Sequence, residues 1–117
     1  MTLDVKKRLF DALGACQAIL GFTRDQRWEA YEQDLLLRSG VERQFEILGE
    51  ALSQAARVEP GLTRHIPELP KIVGLRNRLI HGYDSVDDEI IWDIVQTKIV
   101  PLMKQLDGLL DEESRGR

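Results

Sequence analysis

Apolar residues return every three or four positions along almost the whole chain, and this spacing constrains the fold more than any other feature of the sequence. The C-terminal third shows it best. There Ile90, Ile91, Ile94, Val95, Ile99, Leu102, Met103, Leu106, Leu109 and Leu110 make one stripe of a helix, with Ser85 or Asp87 placed to cap it and Pro101 expected to bend it. Upstream, Val41, Phe45, Leu48, Leu52 and Ala55 or Ala56 form a second stripe, on a long helix predicted from about Tyr31 to Val58 with Gly40 as a candidate kink. A first helix from Leu3 to about Leu20 carries Leu9, Phe10, Leu13, Cys16, Ile19 and Leu20, and Gly21 is its expected stop. Thr23 or Asp25 is placed to cap a short second segment bearing Trp28 and Tyr31. Pro60, Pro67 and Pro70 interrupt the pattern. A fourth helix then starts near Glu68, carries Ile72, Val73, Leu75, Leu79 and Ile80, and ends around Gly82.

No run alternates with the period of a β-strand, and no internal repeat is present. The expectation is an all-α, up-and-down bundle of about five helices, one domain over residues 1–113 with a polar tail at 114–117. Such a bundle leaves an apolar face that a second copy would cover, so a homodimer is expected.

No segment reaches the roughly 20 consecutive apolar residues that a bilayer span needs, and the N-terminus leads into no signal-type apolar core, so a cytoplasmic protein without a membrane partner is expected. Cys16 is the only cysteine and sits among apolar neighbours, which makes it buried filler. The formal net charge of −4 opposes a general nucleic-acid coat protein. Locally the balance differs. Residues 57–82 hold five cations against two anions, and residues 83–113 hold nine anions against two cations. Screening confines charge effects to about 10 Å, so a basic segment retains a phosphate-binding capacity within an acidic molecule.

Neither His65 nor His81 stands in a metal-ligand spacing, and no glycine-rich phosphate loop occurs, so neither a metal centre nor a cofactor is expected. What remains is the cluster around His81. At about 100° per residue, Asn77 and His81 share a helical face with Arg78 close by, whereas Arg76 lies roughly 140° round from His81. Arg76 must therefore reach round the helix, or His81 must sit where it unwinds. An imidazole beside guanidinium groups suits phosphodiester cleavage, because imidazole moves a proton near neutral pH while arginine holds a phosphate. RNA supplies its own nucleophile in the 2′-hydroxyl, so attack on the adjacent phosphorus needs no metal. Read without catalysis, His81 is a helix-end cation favoured by the dipole, Asn77 a cap or bridge between chains, and Arg78 a salt-bridge partner for Asp84 or Glu68.

The run Arg76-Asn77-Arg78-Leu79-Ile80-His81-Gly82-Tyr83 resembles the Arg-x4-His-x-Tyr motif of HepT-like HEPN proteins. The stretches at 43–51 and 88–95 are similar to the same family, so the likeness spans nearly the whole chain. The resemblance implies a HEPN-like bundle and an RNA-cleaving toxin, with Arg76 and His81 as the catalytic pair facing their counterparts across a homodimer groove. Asn77 and Arg78 would be supporting polar groups. It further implies a nucleotidyltransferase antitoxin of the MntA type that transfers AMP to Tyr83, adding bulk and negative charge beside His81. Tyr83 as a helix-end aromatic packed on the core is the plain alternative for that residue. The alternative for the whole chain is a non-catalytic helical module that binds a nucleotidyltransferase partner or a nucleotide through the same groove.

Overall fold

The computed structural model describes residues 1–115, apart from the side chains of Tyr83 and of residues 113–115. Among the described residues seven α-helices follow one another: α1 (Leu3–Thr23), α2 (Trp28–Gln33), α3 (Leu35–Val58), α4 (Leu62–His65), α5 (Leu69–His81), α6 (Asp88–Thr97) and α7 (Ile99–Arg115). A 3-10 turn, Tyr83–Ser85, joins α5 to α6. The all-α architecture agrees with the periodicity. The count exceeds the expected five because residues 62–65 form a helical turn of their own and the last helix is divided.

That division lies at Lys98, not at Pro101. Pro101 falls in the first turn of α7, where a helix has no use for the missing N–H, so it costs nothing there and bends nothing. Asp87 caps α6 by accepting from the Glu89 N–H at 2.9 Å, while the Ser85 hydroxyl turns back to the Gly82 carbonyl at 2.7 Å. Two expectations fail near the first turn. Helix α1 runs through Gly21, and Thr23 caps nothing: as the last residue of α1 it donates its hydroxyl to the Ile19 carbonyl at 2.8 Å. A buried hydroxyl bonded backward in this way is satisfied without a following helix. Helix α3 is capped by Asp34, whose carboxylate accepts from Leu37 N–H at 3.0 Å, and continues unbroken through Gly40. Helix α7 extends to Arg115, into the segment expected as tail, of which residues 116 and 117 lie outside the described ones.

Helix α3 is central. It packs against α1 on one side and α5 on the other, α7 packs on α1, and α6 packs on α7. The described chain measures 47 × 30 × 19 Å, and its shortest dimension equals about two helix diameters. Val5, Leu9 and Ile19 of α1, Phe45, Leu48 and Leu52 of α3, Ile72 and Leu75 of α5, and Leu102 and Leu106 of α7 fill the space between. At the far end Tyr31 is fully buried, with its ring 5.0 Å from that of Trp92, and joins α2 to α6. Cys16 is buried as expected. Phe10, Ile80 and Ile90 are not: they are 60%, 46% and 49% exposed. Among the described residues, no helix is long and apolar enough to cross a membrane.

Candidate functional site

The motif occupies the last two turns of α5 and the 3-10 turn after it, which opens with Tyr83. Helix α5 begins with Pro70 in its first turn and presses Ile72, Leu75 and Leu79 into the core, so the residues between them point outward or toward α3. Arg76 takes the α3 side. Its guanidinium forms an ion pair with the Glu50 carboxylate, through Nη2 to Oε1. Its other terminal nitrogen, Nη1, donates to the Asn77 Oδ1 at 2.6 Å. The arginine thus reaches from the α3 side to Asn77, the residue that shares a helical face with His81.

His81 is the last residue of α5, and its side chain is exposed. Among the described side chains it has neither a hydrogen-bond nor an ion-pair partner, which leaves both ring nitrogens available to a ligand. Helix α5 ends here with the Gly82 N–H bonded to the Arg78 carbonyl at 2.8 Å. Gly82 has φ −156°, extended backbone open to any residue, so its place does not depend on glycine's freedom.

Arg78 departs from the convergence expected of it. Its Nη2 donates to the Ser85 carbonyl at 2.7 Å, clamping the turn that carries Tyr83, and Glu68 is paired with Lys98 instead. A free carbonyl just past a helix end attracts a long cation more strongly than open water does. The structure therefore brings Arg76 and Asn77 together, leaves His81 open at the helix end, and assigns Arg78 to the turn.

Arg76 also lines a groove of about 550 Å³ between α1, α3 and α5, together with Arg8, Arg43, Glu46, Glu50 and Ile80. His81 is not part of its lining. Arg43 is paired with Glu46 at 3.0 Å, so much of the groove's positive charge is already compensated. The Glu50 carboxyl is held below the usual carboxylate range, first by the Gln54 amide and then by the Arg76 and Arg57 guanidinium charges. It is an anion wherever the protein is folded near neutral pH. Among the described residues, no group of three or more His, Cys, Asp or Glu is placed to hold a metal ion.

A sequence model of the family described as ribonuclease HepT-like matches residues 12–109, most of the chain and all of α5. The chain belongs to the HepT-like ribonuclease family. Similarity to individual HepT-like relatives agrees. A Thermococcus cleftensis protein provisionally named ribonuclease HepT is 31% identical over 106 residues, covering 89% of this chain and 94% of its own. A Methanocaldococcus jannaschii protein provisionally named an RNase matches at the same identity and coverage. A third, from Caldanaerobacter subterraneus and also provisionally named an RNase, is 29% identical over 86% of this chain and 89% of its own. No solved structure gives a significant match. The residues that sequence reasoning left without a role are Gly49 and Glu50. Their signal was present in the family-like stretch at 43–51, but nothing in the sequence shows that they meet Arg76 some 26 positions later.

Proposed function

We propose that this HepT-like chain is a metal-independent endoribonuclease, the toxin of a toxin–antitoxin module, and that its active form is a homodimer with α5 of each protomer facing the other. The observation that carries the reading is the Arg76 guanidinium turned toward Asn77, on the face where His81 stands unpaired one turn further on. Family membership supplies the substrate class. In the proposed reaction His81 takes the proton from a ribose 2′-hydroxyl, and the 2′ oxygen bonds to the neighbouring phosphorus. The P–O5′ bond breaks, and the 5′ oxygen leaves with a proton from the second protomer's histidine. Arg76 holds the phosphate while its negative charge grows. The products are a 2′,3′-cyclic phosphate and a 5′-hydroxyl. DNA, without the 2′ oxygen, is inert.

Support for the dimer comes from Phe10 and Ile80, which stand exposed on the groove beside Arg76 where a second copy would cover them. Tyr83 is the proposed acceptor of AMP from a nucleotidyltransferase antitoxin. It lies two residues past His81 on the turn that Arg78 clamps, so an added AMP would bring bulk and negative charge beside His81.

The test is cleavage of RNA in chelator by partner-free protein whose Tyr83 is verified as unmodified, beside His81→Ala and Arg76→Ala. The parent is expected to cut and both variants to lose at least about a hundredfold, the usual weight of an acid–base group. Equal cleavage by parent and His81→Ala would overturn the assignment. An inert parent that still binds a nucleotidyltransferase would make the chain a binding module.

A further inference from the structure

The family-like stretch at 43–51 has no part in the chemistry above, yet it lies against the motif helix. Four side chains form a hydrogen-bonded row across α3 and α5. Gln54 Nε2 donates to Glu50 Oε2 at 2.6 Å, Glu50 Oε1 accepts from Arg76 Nη2, and Arg76 Nη1 donates to Asn77 Oδ1 at 2.6 Å. Each member is oriented by the one before it. Gly49 makes the passage: a Cβ on it would run into the Arg76 Cβ and lie 2.9 Å from its Cγ and 3.2 Å from the Ile72 carbonyl oxygen. The arginine stem leaves α5 through the space that this glycine keeps free.

We propose that Glu50 is the positioning residue for Arg76, fixing the guanidinium so that its outward N–H groups are presented to an RNA phosphate. The inference rests on the ribonuclease reading above. A guanidinium carries five N–H groups. One is taken by Glu50 and one by Asn77, and the Nε–H is buried with no partner among the described residues. Two remain, one on each terminal nitrogen, and a guanidinium with two N–H groups to spare can donate to phosphate oxygens. Without Glu50 the long flexible arginine keeps only its bond to Asn77, so phosphate would find it in several orientations. The carboxylate does not compete with the substrate, because Gln54 ties its second oxygen back toward α3.

The experiment compares steady-state cleavage by the parent, Glu50→Ala, Arg76→Ala and the double variant, with free guanidinium ion added to each. Glu50→Ala is expected to lower kcat by up to roughly a hundredfold, the effect of a misplaced group, with KM little changed. In the Arg76→Ala background it should cost nothing further, and guanidinium ion should restore part of the Arg76→Ala activity only while Glu50 is present. Glu50→Gln, which keeps the shape without the charge, should fall between. Unchanged or faster turnover in Glu50→Ala, or losses that multiply in the double variant, would overturn the proposal while leaving the ribonuclease reading intact. The Arg76 Nε–H resonance in ¹⁵N NMR gives a readout independent of cleavage. It should be sharp in the parent and averaged into the free arginines in Glu50→Ala, and its persistence there would overturn positioning even if the parent proves inert and the ribonuclease reading falls.

Discussion

Gly49 sits where α3 and α5 pack beside Arg76, and the atoms a side chain there would strike belong to the root of the arginine, not to a flexible tip. Gly49→Ala therefore forces backbone apart. Overpacking of this kind costs about 1–3 kcal/mol, and the gain from replacing a helix-interior glycine offsets only up to about 1 kcal/mol. The expected outcome is a lower Tm by thermal unfolding together with loss of cleavage. An unchanged Tm would show that the helices have room to spare. Cys16 offers a second residue-scale check. Burial pushes its thiol from the ordinary 9.0 up to about 12, so the folded state keeps the proton that the unfolded chain releases. That contribution to stability is fully present below pH 9.0 and is lost as pH rises toward about 12. Disulfide reagents at pH 8 should therefore leave Cys16 untouched in the native protein and modify it fully in denaturant.

At the scale of elements, the sequence was legible wherever an apolar stripe met a core. The stripe on α3 is buried almost as read, with Val41, Phe45, Leu48 and Leu52 all fully inaccessible. Phe45→Ala should cost about 3–5 kcal/mol in denaturant unfolding, because the ring is fully buried on the helix that packs against both α1 and α5. Periodicity could not show where a stripe overruns its core. Phe10 and Ile80 obey the spacing and yet remain exposed, since they lie on the rim of the groove rather than between helices. Caps were legible in kind but not in choice. Asp87 holds α6, whereas Thr23 satisfies its hydroxyl within α1. Asp87→Ala is expected to cost about 1 kcal/mol, and Ser85→Ala less, because the Ser85 hydroxyl caps no helix N–H. The position of Arg76 was half legible. The angle around α5 set the problem, but the solution depends on Glu50, a long-range neighbour that no local pattern reveals.

At the scale of the whole molecule, the 19 Å thickness leaves α1, α3 and α5 sharing one broad face, and the groove with Phe10, Ile80 and Arg76 opens on it. If two copies join there, Phe10→Arg should yield a monomer in sedimentation equilibrium and remove cleavage with it, while the core stays folded by circular dichroism. A monomeric variant that cuts normally would confine the chemistry to one chain. The central claim is that His81 and Arg76 drive attack by the RNA's own 2′-hydroxyl. Mass spectrometry of the ends produced from a defined RNA in chelator tests it most directly. The account predicts 2′,3′-cyclic phosphate paired with 5′-hydroxyl, in the parent and absent with His81→Ala. A 5′-phosphate paired with a 3′-hydroxyl would contradict it, because those ends arise from attack by water and not by the ribose.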